Sequence, residues 1–415
     1  MTRVAVIGSG ISGMAAAYFL SRRHEVWLYE RDLRLGGHTH THNIQTSVGA
    51  RPIDTGFIVH NDRTYPNLVR LLRELGVERQ KSDMSFGVTD ERNAREYSSR
   101  GLNGFFASRE NLCRPAHYAL FRSIVRFNRE STQRLREGIP PEMTLGEYID
   151  RYGFSGDLTR LYLYPMASAV WSASLAHIDQ FPAFMLLRFF ENHGFLTIDD
   201  HPQWYTIRGG SSVYIPPLTA PYRDRIVTGA KIQAVFGGES GAAIHFPDGQ
   251  KQIFDDVIFA CHAPEALQLI GEASATERSL LGSFATTRNQ ATLHTDDRLL
   301  PRAKAARASW NYRIDNRSSA ATVTYHMNRL QRLDTPEQYC VTLNDGETIG
   351  RGKSLREIAY SHPLFTIESV RAQQRWAEVS GVRHLHFCGA YWFYGFHEDG
   401  LNSAIRVAKA LGVEW

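Results

Sequence analysis

The first thirty residues constrain the fold more than any other stretch. A buried-strand run, RVAVI, is followed by the turn GSGISG, by the Ala-rich stretch MAAAYFLSRR and by a second strand, EVWLYE. In the spacing GxGxxG, glycines permit a tight turn, close approach of the backbone to a pyrophosphate, and close helix–strand packing. The pattern predicts a dinucleotide site built on these residues and on the helix N-terminus that faces the phosphates: Gly8, Gly10, Ile11, Ser12 and Gly13.

Glu30 ends the second strand twenty residues after Gly10. At this place a carboxylate accepts hydrogen bonds from the ribose hydroxyls and repels the 2′-phosphate of NADP. Arg31 follows directly and is assigned to the same cofactor. The sequence therefore predicts a cofactor with an unphosphorylated adenosine ribose.

A second glycine pair, Gly36 and Gly37, comes six residues after the acid. This arrangement resembles the GG-motif flavoproteins, which include amine oxidases, phytoene desaturases and protoporphyrinogen oxidases. In that superfamily the pair lies on the pyrophosphate and ribitol side of FAD, and a basic or polar anchor follows. The resemblance implies non-covalent FAD, with His38 as the anchor and Thr39 beside it.

Three histidines at alternate positions follow the glycine pair: His38, His40 and His42. If this stretch is a strand, the first and third lie roughly 13 Å apart, too far for both to bind one zinc ion at ~2 Å. A carboxylate or cysteine to complete a ligand set is missing nearby. We therefore expect no metal, and a polar strand face with His40 and His42 solvated.

Length and composition allow a large α/β protein. The chain has 415 residues, a net charge of +4 and four separated cysteines without a CxxC pair. The mild charge gives no reason to expect nucleic acid, and the cysteine pattern is typical of a reducing compartment. The N-terminus enters a strand at once, and a run of 18 apolar residues is absent. These features predict a cytoplasmic protein.

The remaining patterns suggest two interleaved domains. A helix is expected from about Tyr65, mainly helices from about 100 to 200, and an antiparallel sheet where QATLHT, RASWNYRI, AATVTYHM and YCVTLN alternate at period two. HLHFCG predicts a buried strand, and a final helix is expected to start near Gly400. We predict a Rossmann-like FAD domain (1–85, 204–285 and 376–415) with an inserted α+β substrate domain (86–203 and 286–375). A second GxGxxG, typical of a built-in NAD(P)H site, is missing.

The resemblance narrows at TYPNL, SDMSF, NRLQ, CVTLND and FCGAYWFYGFHEDGLNSA. These segments are similar to one branch of the superfamily: bacterial NAD/FAD-binding oxidoreductases and the flavin domain of plant cyclopropane fatty-acid synthases. The similarity runs from Arg3 to the C-terminal helix. Some members resemble desaturases of methyl-branched unsaturated acyl chains, which implies a lipid substrate and a separate lipid methyltransferase or cyclopropane synthase as a partner.

The same resemblance assigns further cofactor contacts. Ile232 matches a strand residue whose backbone meets the adenine, and Gly389 matches the glycine beside the ribityl chain, although Ala390 replaces the acid that often follows. Asp399, Gly400 and Leu401 match the helix start beneath the flavin ring. A helix N-terminus there would stabilise negative charge on the reduced ring. Cys388 is interpreted as a core cysteine rather than a covalent flavin link.

Catalytic candidates lie between the last strand and the last helix. An aromatic run could line a substrate tunnel and stabilise an allylic cation by cation–π contact, or it could simply be core: Tyr391, Trp392, Phe393, Tyr394 and Phe396. His397 is the first candidate to accept the proton, because imidazole titrates near neutrality. Glu398 is the second. The alternative for His397 is a hydrogen bond in a turn.

The stretch 92–136 contains ten arginines and three acidic residues. Arg122, Arg126 and Arg129 have helical spacing, which would suit docking on anionic lipid at the inner face of the membrane. The alternative is a solvated arginine face with intramolecular partners. The sequence does not choose between the two.

Three functions remain in competition. The leading hypothesis is an FAD-dependent oxidase or desaturase that removes a hydride from a lipid acyl chain. The second is a flavin-dependent amine oxidase, which predicts paired rings at the flavin and a polar site for the amine. The third is a non-catalytic flavoprotein partner of a cyclopropane synthase or lipid methyltransferase.

Overall fold

The computed structural model describes residues 2–154, 156–197, 200–314 and 322–415. The strands are, in chain order, β1 Arg3–Ile7, β2 Glu25–Tyr29, β3 Thr41–Thr46, β4 Gly49–Asp54, β5 His60–Asn61, β6 Arg79–Lys81, β7 Phe86–Asp90, β8 Arg95–Ser98, β9 Trp204–Ile207, β10 Ile226–Val227, β11 Ala234–Gly237, β12 Ala242–His245, β13 Lys251–Phe254, β14 Asp256–Phe259, β15 Ala285–His294, β16 Trp310–Ile314, β17 Val323–His326, β18 Cys340–Leu343, β19 Ser354–Leu364 and β20 Leu385–Phe387.

The α-helices are, in chain order, α1 Ile11–Leu20, α2 Pro66–Glu74, α3 Gly101–Phe105, α4 Pro115–Glu137, α5 Leu145–Tyr152, α6 Tyr164–Trp171, α7 Leu175–Asp179, α8 Ala183–Asn192, α9 Ile215–Thr219, α10 Ala263–Leu269, α11 Ala275–Gly282, α12 Met327–Leu330, α13 Ile367–Gln373 and α14 His397–Ala410. None of the described helices is long and apolar enough to cross a bilayer.

A parallel sheet forms the centre of the first layer, in the order β10-β2-β1-β14-β20 within the described residues. The runs VAVI in β1 and DVIF in β14 are almost wholly buried, as expected for strands covered on both faces. Helix α1, rich in alanine, packs closely against β1 and α14. Because the carboxyl ends of β1, β2, β14 and β20 point the same way, the loops that follow them converge at one edge.

A mostly antiparallel sheet forms a second layer, in the order β19-β15-β18-β17-β16-β7-β8 among the described residues. The antiparallel prediction, which covers about 289–345, is confirmed in β15, β16, β17 and β18. Residues 315–321 of that range lie outside the described residues. The parallel pairing of β16 with β7 was not foreseen, because their segments are more than 200 positions apart and neither carries a parallel-strand pattern.

Helices α3 to α8 pack against this second sheet and form a separate apolar cluster around Phe127, Tyr148 and Phe190. The helical prediction for 100–200 is confirmed, and so is the helix near Tyr65, which is α2. The final helix begins at His397 rather than near Gly400, because the Asp399 carboxylate accepts from the Phe396 amide at 2.9 Å and caps the first turn.

The strands of the parallel sheet lie within 1–85, 204–285 and 376–415, and those of the second sheet within 86–203 and 285–375. The mixed architecture agrees with the predicted Rossmann-like domain and inserted α+β region. The exact domain boundaries stay a prediction.

Candidate functional site

A cavity of about 960 Å³ lies between the two layers. Its walls come from the loops after β1, β2 and β14, the N-termini of α1 and α14, and strands β16 to β19 of the second sheet. This volume lies at the upper end of ligand pockets in general. It therefore suits a large cofactor together with a substrate.

The glycine turn after β1 forms one end of this cavity. Gly10, Ile11 and Ser12 line it at the start of α1. A Cβ on Gly10 would meet no atom within 4 Å, whereas a Cβ on Gly13 would lie 1.9 Å from the Gly8 carbonyl oxygen. Glycine is therefore needed at the two positions for different reasons. Gly13 permits close helix–strand packing, and Gly10 leaves open space in front of the free helix N–H groups.

Glu30 lies at the same end, at the carboxyl end of β2. Its Oε2 accepts from the Ser9 amide at 2.8 Å and from Ser9 Oγ at 2.6 Å, and its Oε1 accepts from the Asp32 amide. The carboxylate still lines the cavity, so lone pairs remain for ribose hydroxyls. Arg31 is largely exposed and pairs with Glu265 at 3.3 Å.

Arg34, which the sequence analysis missed, holds the second glycine pair in place. One guanidinium nitrogen donates to the carbonyls of Leu35 and Thr39, at 3.1 and 3.0 Å, and the other donates to Gly37 at 2.8 Å. The Gly36 amide donates to the Ser9 carbonyl at 3.0 Å. The glycine-pair loop is therefore tied to the first glycine turn. An arginine two residues before the pair was the available signal.

His38 lines the cavity, and its Nε2 is buried without a hydrogen-bond partner among the described residues. Its ring stacks on Tyr360 at 5.0 Å and lies 5.2 Å from the ring of His362 and 6.2 Å from that of His262. Burial, followed by these imidazoles, lowers the pKa of His38 well below its ordinary value. His38 is therefore a neutral polar residue, and not a cationic one, whose buried Nε2 is left without a partner among the described residues.

His40 and His42 are half-buried, which corrects the expectation of a solvated face. Their ring centroids are 4.0 Å apart, and burial lowers both pKa values, that of His40 to about 3. Strand β3 begins only at Thr41, so the bend before it brings the rings together. The described residues contain no His/Cys/Asp/Glu cluster able to hold a metal ion.

The start of α14 forms the middle of the cavity wall. A Cβ on Gly400 would lie 2.8 Å from Cγ2 of Ile11, so the N-termini of α1 and α14 touch. Asp399 caps the helix, and burial raises its pKa to about 7. Leu401 is fully buried core. Gly389 lines the cavity, and its amide donates to Ser403 Oγ at 2.8 Å.

His397 lines the cavity with its ring parallel to Phe57. Its Nε2 lies 2.8 Å from the Tyr214 hydroxyl and 3.2 Å from Thr39 Oγ1, and these two hydroxyls also bond to each other. Burial, followed by His60, lowers the pKa of His397 to about 3. The two hydroxyls at Nε2 and the parallel ring of Phe57 hold the imidazole in one orientation, so the geometry favours a positioning role.

Glu398, the second catalytic candidate, has a different place. Its two oxygens accept from the amides of Asn67 and Leu68 at 2.9 and 2.8 Å. It therefore caps the N-terminus of α2 and lies outside the cavity wall. Its sequence position beside His397 could not reveal this, because successive residues of a helix point in different directions.

The residues of the aromatic run also differ in where their side chains lie. Tyr391 and Phe396 line the cavity, whereas Trp392 packs in the core against Phe284 at 4.9 Å. Tyr394 lies behind the wall, where its carbonyl accepts from Trp171. Two of the five rings thus line the cavity and the other three do not. Trp392 follows the core alternative that the sequence left open.

These features fit FAD. Open space at Gly10, a free acceptor at Glu30 and the unpartnered Nε2 of His38 follow one another along one cavity. Ile232 also lines it, on the loop whose Ala230 amide donates to the Glu30 carbonyl. The cavity thus offers polar contacts from the adenosine end to the start of α14.

The chain matches the family model for flavin-containing amine oxidoreductases over residues 11–304. Solved structures similar to it over 99% of its length include the CLA-producing fatty acid isomerase from P. acnes (TM-score 0.71, 15% identity, 99% of that chain). Others are putrescine oxidase bound to putrescine (0.69, 13%, 98%) and cyclohexylamine oxidase from Brevibacterium oxydans IH-35A (0.69, 14%, 99%).

No curated protein sequence matches the chain. The family match covers most of the chain. It begins directly after Gly10 and includes Gly13, Glu30 and the glycine pair, and Glu30 and Gly37 line the cofactor end of the cavity. The chain therefore belongs to the flavin-containing amine oxidoreductase family and is an FAD-dependent oxidoreductase.

Proposed function

We propose that this enzyme removes a hydride from a hydrophobic substrate, an unsaturated fatty acyl chain. The observation that carries the proposal is the part of the cavity away from the dinucleotide end, here called the apolar wall. It consists of side chains from α8, β9 and the second sheet, with their neighbours: Met84, Phe189, Phe195, Trp204, Trp310, Tyr325, Leu343 and Ile358.

Charge is distributed unevenly along the cavity. Among the described lining residues, the carboxylates are Glu30, Asp32 and Glu265, all at or beside the end of β2. A cationic amine against the apolar wall would lose its hydration without gaining a counter-ion, which is strongly unfavourable. An acyl chain has no such cost, and its burial there is favourable.

When bound, the flavin supplies the hydride acceptor. The chain's own residues would exclude water, hold the acyl chain in contact with Phe396 and Tyr391, and remove the proton. Aromatic faces stabilise a developing allylic cation by about 0.5–2 kcal/mol each. A fold neighbour described as a fatty acid isomerase supports an acyl substrate, although other neighbours are named for amines.

A hydrogen-bonded row of side chains leads from the cavity to the half-buried His42. The Tyr360 hydroxyl, on the cavity wall, lies 2.8 Å from Thr55 Oγ1, which lies 3.2 Å from Nε2 of His42. His40 Nδ1 lies 3.2 Å from the same Tyr360 hydroxyl. His40 and His42, which follow the glycine pair, therefore belong to a hydrogen-bonded network that reaches the cavity.

We infer that this row removes the substrate proton. One C–H bond loses a hydride, and the electron pair of a second C–H bond becomes the new C=C bond. The second proton passes to the Tyr360 oxygen as the Tyr360 hydroxyl proton moves to Thr55 and that of Thr55 to Nε2 of His42. His42 then releases a proton to water from its other ring nitrogen. The titratable members are neutral beforehand, since burial raises the pKa of Tyr360 to about 12 and lowers the pKa of His42.

The test is anaerobic reduction of the FAD-loaded enzyme, followed by the visible spectrum. Vesicles of an unsaturated phospholipid should bleach the flavin bands, and vesicles of its saturated counterpart should not. Putrescine and cyclohexylamine serve as the competing substrates. Bleaching by an amine, with none by unsaturated lipid, would overturn the proposal.

A further inference from the structure

We propose that one exposed face of the helical region docks on an anionic lipid bilayer. This docking face consists of α3, the loop that follows it and the outer side of α4. The inference is independent of the substrate, because it rests on surface residues outside the cavity.

The first component of the docking face is apolar. Leu102 is 72% exposed, Leu112 47%, Tyr118 44% and Phe121 42%. Contacts through Phe105 and Phe106 join them into one patch. Phe121 packs on Phe105 at 5.5 Å, Phe105 on Phe106 at 5.3 Å and Phe106 on Tyr118 at 5.4 Å. The Tyr118 hydroxyl donates to the Leu112 carbonyl, and the Phe106 amide donates to the carbonyl of Leu102. Large apolar residues clustered on a surface mark an interaction site more often than isolated ones do.

The second component is a stripe of arginines on α4. Arg122, Arg129 and Arg136 are each seven residues apart, so they lie on one side of the helix. All three are exposed and form no ion pair within the described residues. In contrast, Arg126 and Arg134 pair with Glu130. The arginine face predicted from sequence is therefore divided into paired cations and an outer stripe of unpaired ones.

The opposite side of α4 is already occupied. His117, Leu120, Phe127, Ser131 and Leu135 are buried in the apolar cluster of the helical region. The outer side is therefore the one available to a partner. Tyr118 and Phe121 stand on it near the N-terminus, and the arginine stripe continues toward the C-terminus.

This combination favours a bilayer over a protein or nucleic acid. Interfacial helices insert aromatic and leucine side chains among the acyl chains while arginines contact anionic headgroups. A nucleic acid would use the arginines but would leave Leu102 and Phe121 in water. Charge complementarity and the exposed apolar patch together point to anionic lipid as the occupant.

The test is co-sedimentation of the FAD-loaded protein with phosphatidylglycerol or phosphatidylcholine vesicles. We expect binding to the first and little to the second. Since each arginine near such a surface contributes about 1 kcal/mol, the double variant R122Q/R129Q should bind roughly 30-fold more weakly. The variant L102S/F121S should also bind more weakly, even at low salt.

The matched control is R351Q/K353Q, which removes the same charge from exposed positions outside the docking face. It should bind like the parent protein. Equal binding to both vesicle types, or equal loss in the control, would overturn the proposal. Binding that R122Q/R129Q weakens but L102S/F121S does not would also overturn it, since the face would then be a general polyanion site.

Discussion

The imidazole of His397 lies parallel to the ring of Phe57, with centroids 3.7 Å apart and planes inclined by 6°. The stack and the two hydroxyls at Nε2 fix the orientation of a neutral ring. We therefore expect His397→Asn to retain FAD and to lose less than about tenfold in kcat, since it removes no base. Steady-state kinetics between pH 6 and 9 check this, with an unchanged pH profile expected.

A base at this position would behave differently. General acid–base catalysis contributes about 10²–10⁴-fold, so a loss of that size in His397→Asn, with FAD retained, would restore the base hypothesis. Tyr214→Phe provides the comparison, because it removes the hydroxyl at 2.8 Å from Nε2 and leaves the imidazole in place.

Gly10 and Gly13 should respond differently to alanine. Gly13→Ala places a methyl group against the Gly8 carbonyl and should destabilise the fold by at least about 2 kcal/mol. Gly10→Ala meets open space, so the apoprotein should fold normally, while FAD affinity falls by about tenfold or more. Urea unfolding of the apoprotein and FAD titration separate the two effects. A normal FAD affinity in Gly10→Ala would contradict the cofactor placement.

Arg34→Lys should weaken FAD binding although the charge is kept. The guanidinium reaches three carbonyls at once, and an ammonium group cannot reproduce that planar arrangement. FAD titration should give a Kd raised by roughly tenfold. Arg223→Lys, in which an exposed arginine outside the cavity lining is changed, should leave the Kd unaltered. An unaltered Kd in Arg34→Lys would show that positive charge alone is sufficient at this position.

Thr55→Val should slow turnover if the row from Tyr360 to His42 carries protons. The change keeps the shape and removes one hydroxyl, so kcat should fall by up to roughly 100-fold with KM and FAD content unchanged. Thr55→Ser should restore the rate. The solvent isotope effect on kcat should rise in Thr55→Val. Full activity of Thr55→Val would exclude the row as the proton route.

Stability should fall at mildly acidic pH because many histidines are buried in neutral form. Burial lowers the pKa of His40, His60 and His397 to about 3, and that of His193, His294 and His362 to about 4. Unfolding restores values near 6.5. Their contribution to the free energy of unfolding is thus complete above pH 6.5, and it is lost as the pH falls toward the pKa values of the folded state.

Asp54 and Asp399 have the opposite effect on the pH dependence of stability. Burial raises their pKa values to about 6 and about 7. Their contribution to the free energy of unfolding is therefore complete below the pKa of an unfolded aspartate, and it is lost as the pH rises through the pKa values of the folded state. Because these histidines outnumber the two carboxyls, we expect urea midpoints to fall between pH 7.5 and 5. His60→Phe should flatten this dependence, whereas His177→Gln, at an exposed position, should not. An unchanged midpoint at pH 5 would contradict this balance.

The cofactor end was predictable from sequence because each signal there is local. The glycine turn, Glu30 and the glycine pair each act through backbone geometry within a few residues. The N-terminus of α14 was located to within three residues for the same reason. The contact between Gly400 and Ile11 was not predicted, because it joins two helix N-termini that are far apart in sequence.

The substrate side was less predictable because its residues meet through tertiary structure. Tyr360 and His362 lie in β19, more than 300 positions from His38, yet their rings pack on it. The places of Glu398 and Trp392 depend on helix direction and on the neighbours Asn67 and Phe284. Period and spacing do not encode these contacts.

The strand order of the parallel sheet also sets the order of events during synthesis. β1, α1 and β2 leave the ribosome first, but β14 and β20 complete their sheet only after most of the chain has been made. The contact between α1 and α14 forms later still. Nascent chains therefore expose the apolar faces of β1 and α1 for most of translation, a period in which chaperones protect such surfaces. Because the start of α14 lines the cavity, the complete cofactor site forms only after α14 has been made.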